Sequence, residues 1–315
     1  MATPKCTDAE FVRLWKIMPT VASMATALNT DPRAIYNRRK RLLEKGHVLD
    51  DRENLVTIKP GKHRIDIQIE DGLIMVGSDC HYWPNEISAA HRGFVLLAKR
   101  LRPWGVVLNG DILDGASIGR HPRIGWETRP TMEQELDAVR ERCEEIRQAA
   151  IGANFFRTHG NHDMRYDSVL AAKVPEMQGV EGFALDQQLP DWRSAFSIRI
   201  NGHTIITHRI KNGIHATWTA TGDAQINTVT GHLHALRVTP RTTMSPLNGG
   251  NIYGVDTGTM ADVFGPQFVY VEDGPRNWRS GFVVLTIANG MLMPPEIAMI
   301  TGPDQLFFRG ELLEV

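Results

Sequence analysis

Five short apolar segments of this 315-residue chain each run directly into a cluster of acid, amide or imidazole side chains. LIMVGS leads into Asp79-Cys80-His81, GVVLN into Gly110-Asp111-Ile112-Leu113-Asp114, NFFRT into His159-Gly160-Asn161-His162-Asp163, TIIT into His208, and INTVT into Gly231-His232-Leu233-His234. Runs of this length and composition, bounded by Gly, Asn and Pro, read as strands. Loops at the carboxyl ends of strands in an α/β sheet converge on one crevice, because a rigid scaffold holds them around a single point. Five such loops presenting mixed imidazole and carboxylate groups predict a metal centre. Cys80 lies between two of these groups on what should be the opposite strand face, so packing is expected of it instead of ligation.

The segments between the clusters support an α/β reading from Ile65 onward. Strands IDIQIE and LIMVGS precede a helix near Ile87 to Leu101, GVVLNG precedes a helix near Met132 to Ile151, and NFFRTH follows. After Trp192 the chain is strand-rich, with FSIRI, HTIITH, INTVTG, NIYGVD and FVVLTI separated by turn residues, which predicts a second sheet packed on the first.

The N-terminal part differs in charge. Residues 1–64 hold 13 Lys and Arg against 7 Asp and Glu, whereas the remaining 251 residues hold 22 against 29, so the total of −1 averages two opposite segments. Three helices are expected here: Asp8 to Met18, Thr20 to Leu28, and Asp31 to Lys45, the last opened by Asp31 as N-cap and Pro32. Val21, Met24, Ala25 and Leu28 share one face, Asn29-Thr30 makes a turn, and Ile35, Leu42 and Leu43 would close a small core. This pattern resembles the winged-helix and helix-turn-helix DNA-binding families. The resemblance implies DNA contact through the third helix, where Arg33, Asn37, Arg38, Arg41 and Lys45 could touch phosphates or base edges. A solvated basic face, or a docking or dimerisation module, is the alternative. Polar residues 50–64, with Pro60-Gly61, read as a linker between a domain over 1–49 and one over 65–315.

The ordered set D-x-H, G-D-x-x-D, G-N-H-D, a lone His and G-H-x-H, spanning roughly residues 73 to 290, is similar to the calcineurin-like metallophosphoesterase superfamily. The resemblance implies a four-layer α/β-β-α sandwich of two mixed sheets. It also implies two divalent cations, with Mn²⁺ expected and Fe²⁺ or Zn²⁺ as alternatives, since mixed O and N donors suit these ions. Asp111 would bridge them, with Asp79, His81 and His234 completing one site and Asn161, His208 and His232 the other. Paired cations neutralise a phosphate ester and favour in-line attack by a bridging hydroxide. His162 would stabilise the transition state or protonate the leaving oxygen, and Asp114 would orient it and raise its basicity. Asp163 would support a loop instead of ligating.

Some positions depart from the superfamily's patterns. Asp114 stands where purple acid phosphatases have a tyrosine, and Gly115-Ala116 replaces the Arg-Gly of Ser/Thr protein phosphatases, so a phosphate-clamping arginine is missing there. Arg209 follows His208 where many relatives have glycine, which leaves His215 and His203 as competing ligands. The loop Ser117 to Arg129, with Arg120, His121, Arg123 and Trp126, could overhang the metals and contact substrate, or be a solvated loop with Trp126 as a packing anchor. Trp218 in the segment His215 to Gly222 could stack on a base, or be core.

Three cysteines without C-x-x-C spacing, no apolar run long enough for a membrane span and no signal-like N-terminus point to the cytoplasm. The function expected is metal-dependent hydrolysis of phosphodiester bonds, in DNA because a basic helix-turn-helix would deliver a polyanion to the metals. The alternatives are a phosphodiesterase or phosphatase on small nucleotides, and a DNA-binding regulator with a non-catalytic domain. A homo-oligomer is compatible with each reading.

Overall fold

A computed structural model of the chain describes residues 6–18, 21–47, 49, 63–119, 123–244, 250–272 and 277–315. The chain divides into two compact units, Met1–Pro60 and Gly61–Val315.

The first unit contains α1 (Asp8–Ile17), α2 (Val21–Ala27) and α3 (Pro32–Glu44). Thr7 caps α1 by accepting from the Glu10 N–H, and Asp31 caps α3 by accepting from the Arg33 N–H, so each start satisfies an otherwise orphaned donor. Phe11 and Trp15 of α1 pack with Met24, Ala25, Ile35, Leu42 and Leu49 in a buried cluster, and Leu28 lies against it. Leu43, expected in this core, is 39% exposed, because Leu42 takes the inward position and the next residue points about 100° round the helix. The Val21 side chain lies outside the described residues.

The second unit begins with β1 (Arg64–Ile67), the first residue of which closes the segment read as linker, and β2 (Gly72–Gly77). It continues through α4 (Ala89–Leu101), β3 (Gly105–Asn109), α5 (Met132–Ala149), β4 (Asn154–Thr158), α6 (Asp163–Lys173) and α7 (Leu185–Gln188). Then come β5 (Arg193–Ala195), β6 (Ser197–Ile200), β7 (Thr204–Thr207), α8 (Ala216–Ala224), β8 (Asn227–Thr230), β9 (Arg237–Thr242) and β10 (Asn251–Asp256). The chain ends with β11 (Gly281–Ala288), β12 (Met291–Leu292), β13 (Glu296–Gly302), β14 (Gln305–Phe308) and β15 (Glu311–Glu314).

Among the described residues these strands form two mixed sheets, one ordered β1-β6-β7-β8-β10-β9 and the other β15-β14-β13-β11-β2-β3-β4-β5, with β12 beside β11. Two strands change sheet relative to the sequence reading. FVVLTI, expected in the second sheet, lies in β11 and pairs antiparallel with β2, Val284 opposite Met75. Its near-continuous burial suits a central strand covered on both faces. IDIQIE, expected with the first strands, supplies β1, which pairs parallel with β6 at the edge of the other sheet.

Alternation along the strands builds the layers. Ile74, Val76, Val107, Val283 and Leu285 point toward Ile198, Ile206, Val229 and Val255 of the facing sheet, forming the core between sheets. Met75, Val106, Leu108 and Val284 point the other way, onto Phe94 and Leu97 of α4 and Val139 and Ile146 of α5. Helix α8 packs against β8, β9 and β10. Cys80 is buried in the cluster under α4 and α5, as its position between two polar neighbours predicts. Among the described residues no helix is long and apolar enough to cross a membrane.

Candidate metal centre

Strands β2, β3 and β4 are parallel neighbours in one sheet, and β7 and β8 are parallel neighbours in the other, so each set delivers its C-terminal loops to one edge. Main-chain bonds tie the loops together. The Asp79 N–H donates to the Gly110 carbonyl at 2.9 Å, the His81 N–H to Asp111 at 3.0 Å and the Gly231 N–H to His208 at 3.0 Å. Asp79, His81, Asp111, His232 and His234 all have positive φ, between 40° and 72°. Such a conformation costs a non-glycine residue roughly 1–2 kcal/mol, offset here by those bonds. Two motif glycines are required by close approach: a Cβ on Gly160 would lie 2.1 Å from Asp111 Oδ1, and one on Gly231 would lie 2.5 Å from Asp79 Oδ2.

Three groups of donor atoms result: Asp79, His81 and His234; His81, Asp111 and His162; and Asp111, His208 and His232. Several donors are fixed from behind. His81 Nδ1 lies 2.9 Å from Asp114 Oδ1, and His208 Nδ1 donates to the Asn109 carbonyl at 2.8 Å, which leaves each Nε2 lone pair facing the cluster. His81 Nε2, Asn161 Oδ1 and His234 Nδ1 are buried without a hydrogen-bond partner. Leaving a buried polar atom unpaired costs about 1–3 kcal/mol, so three of them in adjacent loops mark a site shaped for something absent from the chain itself. His234 Nε2 lies 3.1 Å from Asp79 Oδ1, and His208 Nε2 lies 3.1 Å from Asp111 Oδ2. Donors bound at about 2.1 Å at right angles around one cation lie about 3 Å apart, so these spacings fit a divalent ion.

The electrostatics agree. Burial disfavours charge on His208, yet Asp111 and Asp79 outweigh it and push the imidazole up to about 10. Burial likewise opposes ionisation of Asp111, but His208, His162 and His81 hold its carboxyl well below the usual range. The carboxylates thus hold protons on neighbouring imidazoles, and a divalent cation would displace them.

His81, Asp111, His208, His232, His234 and Asp79 therefore meet, with the unpaired Asn161 amide oxygen in the adjoining loop. The two competing histidines lie elsewhere. His203 bonds Gly290 O at 2.7 Å and Thr204 Oγ1 at 3.1 Å, and His215 is exposed before α8.

Asp114 is used differently from its expected role. Its carboxylate serves His81, while His162 Nδ1 lies 2.7 Å from the Asp114 main-chain carbonyl and 3.5 Å from the carboxylate. Burial, the nearby His81 and Arg165 push His162 down to about 4; Asp111 and Asp114 act in the raising direction expected of Asp114 but are outweighed in the metal-free protein. An anionic phosphate beside it would also act in the raising direction.

Asp163 is buried, and its carboxylate accepts the N–H groups of Asp111, Ile112, Leu113 and Gly160 at 2.9–3.2 Å. It binds the G-D-x-x-D loop to the G-N-H-D loop. Arg165 was not foreseen: Nη1 lies 3.0 Å from His162 Nδ1 and Nη2 lies 3.0 Å from Nε2. No carboxylate pairs with this guanidinium among the described residues. The missing signal was the helix: α6 opens at Asp163, so position 165 folds back over residue 162.

Other candidate contacts fare unevenly. Arg120 and His121 lie outside the described residues; Arg123 and Trp126 are exposed, so Trp126 is no packing anchor. Trp218 is half-exposed, with the Arg241 guanidinium 4.5 Å above its ring. On α3, Arg33, Asn37 and Arg41 are exposed. Arg38 turns inward, donating to Cys6 O at 2.7 Å and Asp8 Oδ1 at 3.0 Å beside the Phe11 ring, and Lys45 pairs with Asp8 Oδ2 at 2.9 Å. Of the two, Arg38 is mostly buried against α1 and spends its donors there, while the Lys45 side chain stays 63% exposed beside Asp8.

No family model matches the chain. It is 24% identical to the Gene 54 protein of Mycobacterium phage L5 over 225 residues, which covers 64% of this chain and 83% of that protein.

Proposed function

We propose that the chain is a metal-dependent phosphoesterase of the calcineurin-like kind, hydrolysing phosphodiester bonds, with DNA as its substrate. The observation that carries this reading is the buried meeting of unpartnered imidazole and amide atoms with two carboxylates, a donor set that would hold divalent cations, with Asp111 common to two of the groups. Asp79, His81 and His234 would hold one ion, and Asn161, His208 and His232 the other. When bound, two cations neutralise the phosphate and lower the pKa of water, with Mn²⁺ the ion best suited and Fe²⁺ or Zn²⁺ alternatives.

The chain's own groups supply the rest. Asp114 and Asn109 O fix the tautomers of His81 and His208. His162, held by the Asp114 carbonyl, faces the cluster from the α6 side and would hold or donate a proton at the leaving oxygen. Arg165, beside it, would attract a non-bridging phosphate oxygen in the role that Gly115 and Ala116 cannot fill. The exposed Arg33, Asn37 and Arg41 of α3 support a nucleic-acid substrate.

The test is hydrolysis of bis-p-nitrophenyl phosphate and of single- and double-stranded DNA by protein loaded with Mn²⁺. Turnover of both, lost in Asp111→Ala and in chelator, is expected. Hydrolysis of the small diester without DNA cleavage would overturn the DNA assignment, and no turnover of either with Mn²⁺, Fe²⁺ or Zn²⁺ would overturn the enzyme reading.

A further inference from the structure

A cavity of about 480 Å³ opens beside the metal-ligand cluster, with His81 in its wall. That is the size of a small-molecule pocket, large enough for one nucleotide unit and far too small for a duplex. The wall is continuous with the cluster: Trp278 lines the cavity, and its ring lies 4.6 Å from that of His234. Trp83 and Phe264 add aromatic surface, and the Phe264 ring is 93% exposed. Aromatic faces on a phosphate-ester site suit a planar heteroaromatic group, which stacks on them whatever its identity.

Besides His81 Nε2 of the ligand cluster, one polar atom of this wall is buried without a partner. Arg92 is engaged by the carbonyls of Ile87 and Pro303 and by Asp304, and Ser88 Oγ donates to Met260 O. Gln267 Oε1, in contrast, is buried without a partner. Its amide folds over Gly265, where a Cβ would approach Oε1 to 2.5 Å, so the loop makes room for that orientation. A carboxamide with an unpaired acceptor, once turned toward the cavity, pairs naturally with the amino edge of a base such as adenine.

We infer that this cavity is a subsite for a nucleobase bearing an exocyclic amine, seated between Trp278 and Phe264 with its amino group on Gln267. It takes the base of the nucleotide whose phosphate lies at the metal cluster. The inference rests on the phosphoesterase reading for the position of that phosphate, but base binding can be measured without turnover. The same chemistry serves a free nucleotide or the terminal residue of a strand.

Calorimetry on the full chain with AMP, UMP and ribose 5-phosphate tests it. AMP is expected to bind at least tenfold tighter than ribose 5-phosphate and severalfold tighter than UMP. Gln267→Ala should abolish the preference for AMP over UMP, and Phe264→Ala, at an exposed position that the fold does not need, should weaken AMP at least fivefold while leaving ribose 5-phosphate unchanged. Equal binding of AMP and ribose 5-phosphate, or Phe264→Ala and Gln267→Ala proteins that keep both preferences, overturns the subsite. A short single strand ending in adenosine, compared with one ending in an abasic residue, separates the sources: discrimination between them assigns the site to strand ends, and AMP discrimination without it to free nucleotides. Because no arm requires hydrolysis, an inactive protein that still prefers AMP overturns the enzyme reading and leaves the subsite standing.

Discussion

Asp163 holds the main chain of Asp111: its Oδ2 accepts the Asp111 N–H at 2.9 Å and, with the same atom, the Gly160 N–H at 3.0 Å. The carboxylate of the expected bridging residue is therefore placed by a second acid that lies outside the three donor groups. Burial, with Asp111 nearby, raises the pKa of Asp163, and Arg157 together with the N–H groups of Gly160 and Leu113 works against that shift.

Replacing Asp163 with Ala removes the acceptor of four buried N–H groups, and at about 1–3 kcal/mol for each one left unpaired the loss should reach about 3 kcal/mol or more. Asp163→Asn keeps an oxygen on one side and turns an NH₂ toward the donors on the other, so its cost should be intermediate. Denaturant unfolding gives both values. Mn²⁺ affinity should fall in the same order, and a destabilised variant with unchanged metal affinity would contradict the positioning role.

Arg165 carries no ligand atom in the cluster, so Arg165→Gln should leave metal affinity intact. The expected loss is in phosphate recognition: KM for a phosphodiester should rise about tenfold, since a charge-assisted bond is worth about 1.5–3 kcal/mol. Inhibition by inorganic phosphate should weaken in parallel. Arg165→Lys should recover part of the loss, because the charge remains while the fork does not.

On α3 the structure separates two basic residues that look alike in sequence. Arg38 spends its donors on Cys6 and Asp8, so Arg38→Ala should lower the stability of the N-terminal unit by about 1–2 kcal/mol. Arg41→Ala should leave stability near unchanged and reduce the salt dependence of DNA binding by about one phosphate contact. Titrations at several salt concentrations, beside thermal unfolding, distinguish the two.

This pair also shows where sequence reading reaches its limit. The apolar periods and capping residues of α1 and α3 are local signals, and so are the strand-end clusters that lead to Asp79, Asp111 and His208. Which cation faces solvent depends on a partner 30 residues away, Asp8, and no periodicity reports that. The same holds for β11 and β1: their burial patterns are readable, but the sheet each joins is decided by long-range pairing. Asp114 was legible as a partner of an imidazole, while the choice of His81 over His162 turns on an atom-scale difference between carboxylate and carbonyl.

Asp256, at the end of β10, offers a prediction in pH. Burial drives its carboxyl up from 3.8 to about 7; the N–H groups of Gly258 and Ala235, both bonded to Oδ1, oppose this, and Asp79 adds to it. Oδ2 is buried without a partner. Between these two pKa values the folded chain binds more protons than the unfolded one, so this group makes stability fall as pH rises from about 4 to about 7 and then level off. Asp256→Asn keeps Oδ1 as acceptor for both N–H groups and carries no charge. In metal-free protein the variant should exceed the parent by only about 0.5 kcal/mol near pH 4.5 and by on the order of 2 kcal/mol at pH 8.5, a discounted share of the full shift. Cations bound beside Asp79 favour the ionised acid, so the gain should shrink once Mn²⁺ is added. Unfolding curves at the two pH values, with chelator and with Mn²⁺, measure all four stabilities; a gain of equal size at pH 4.5 and 8.5 would show that Asp256 is not protonated in the folded chain.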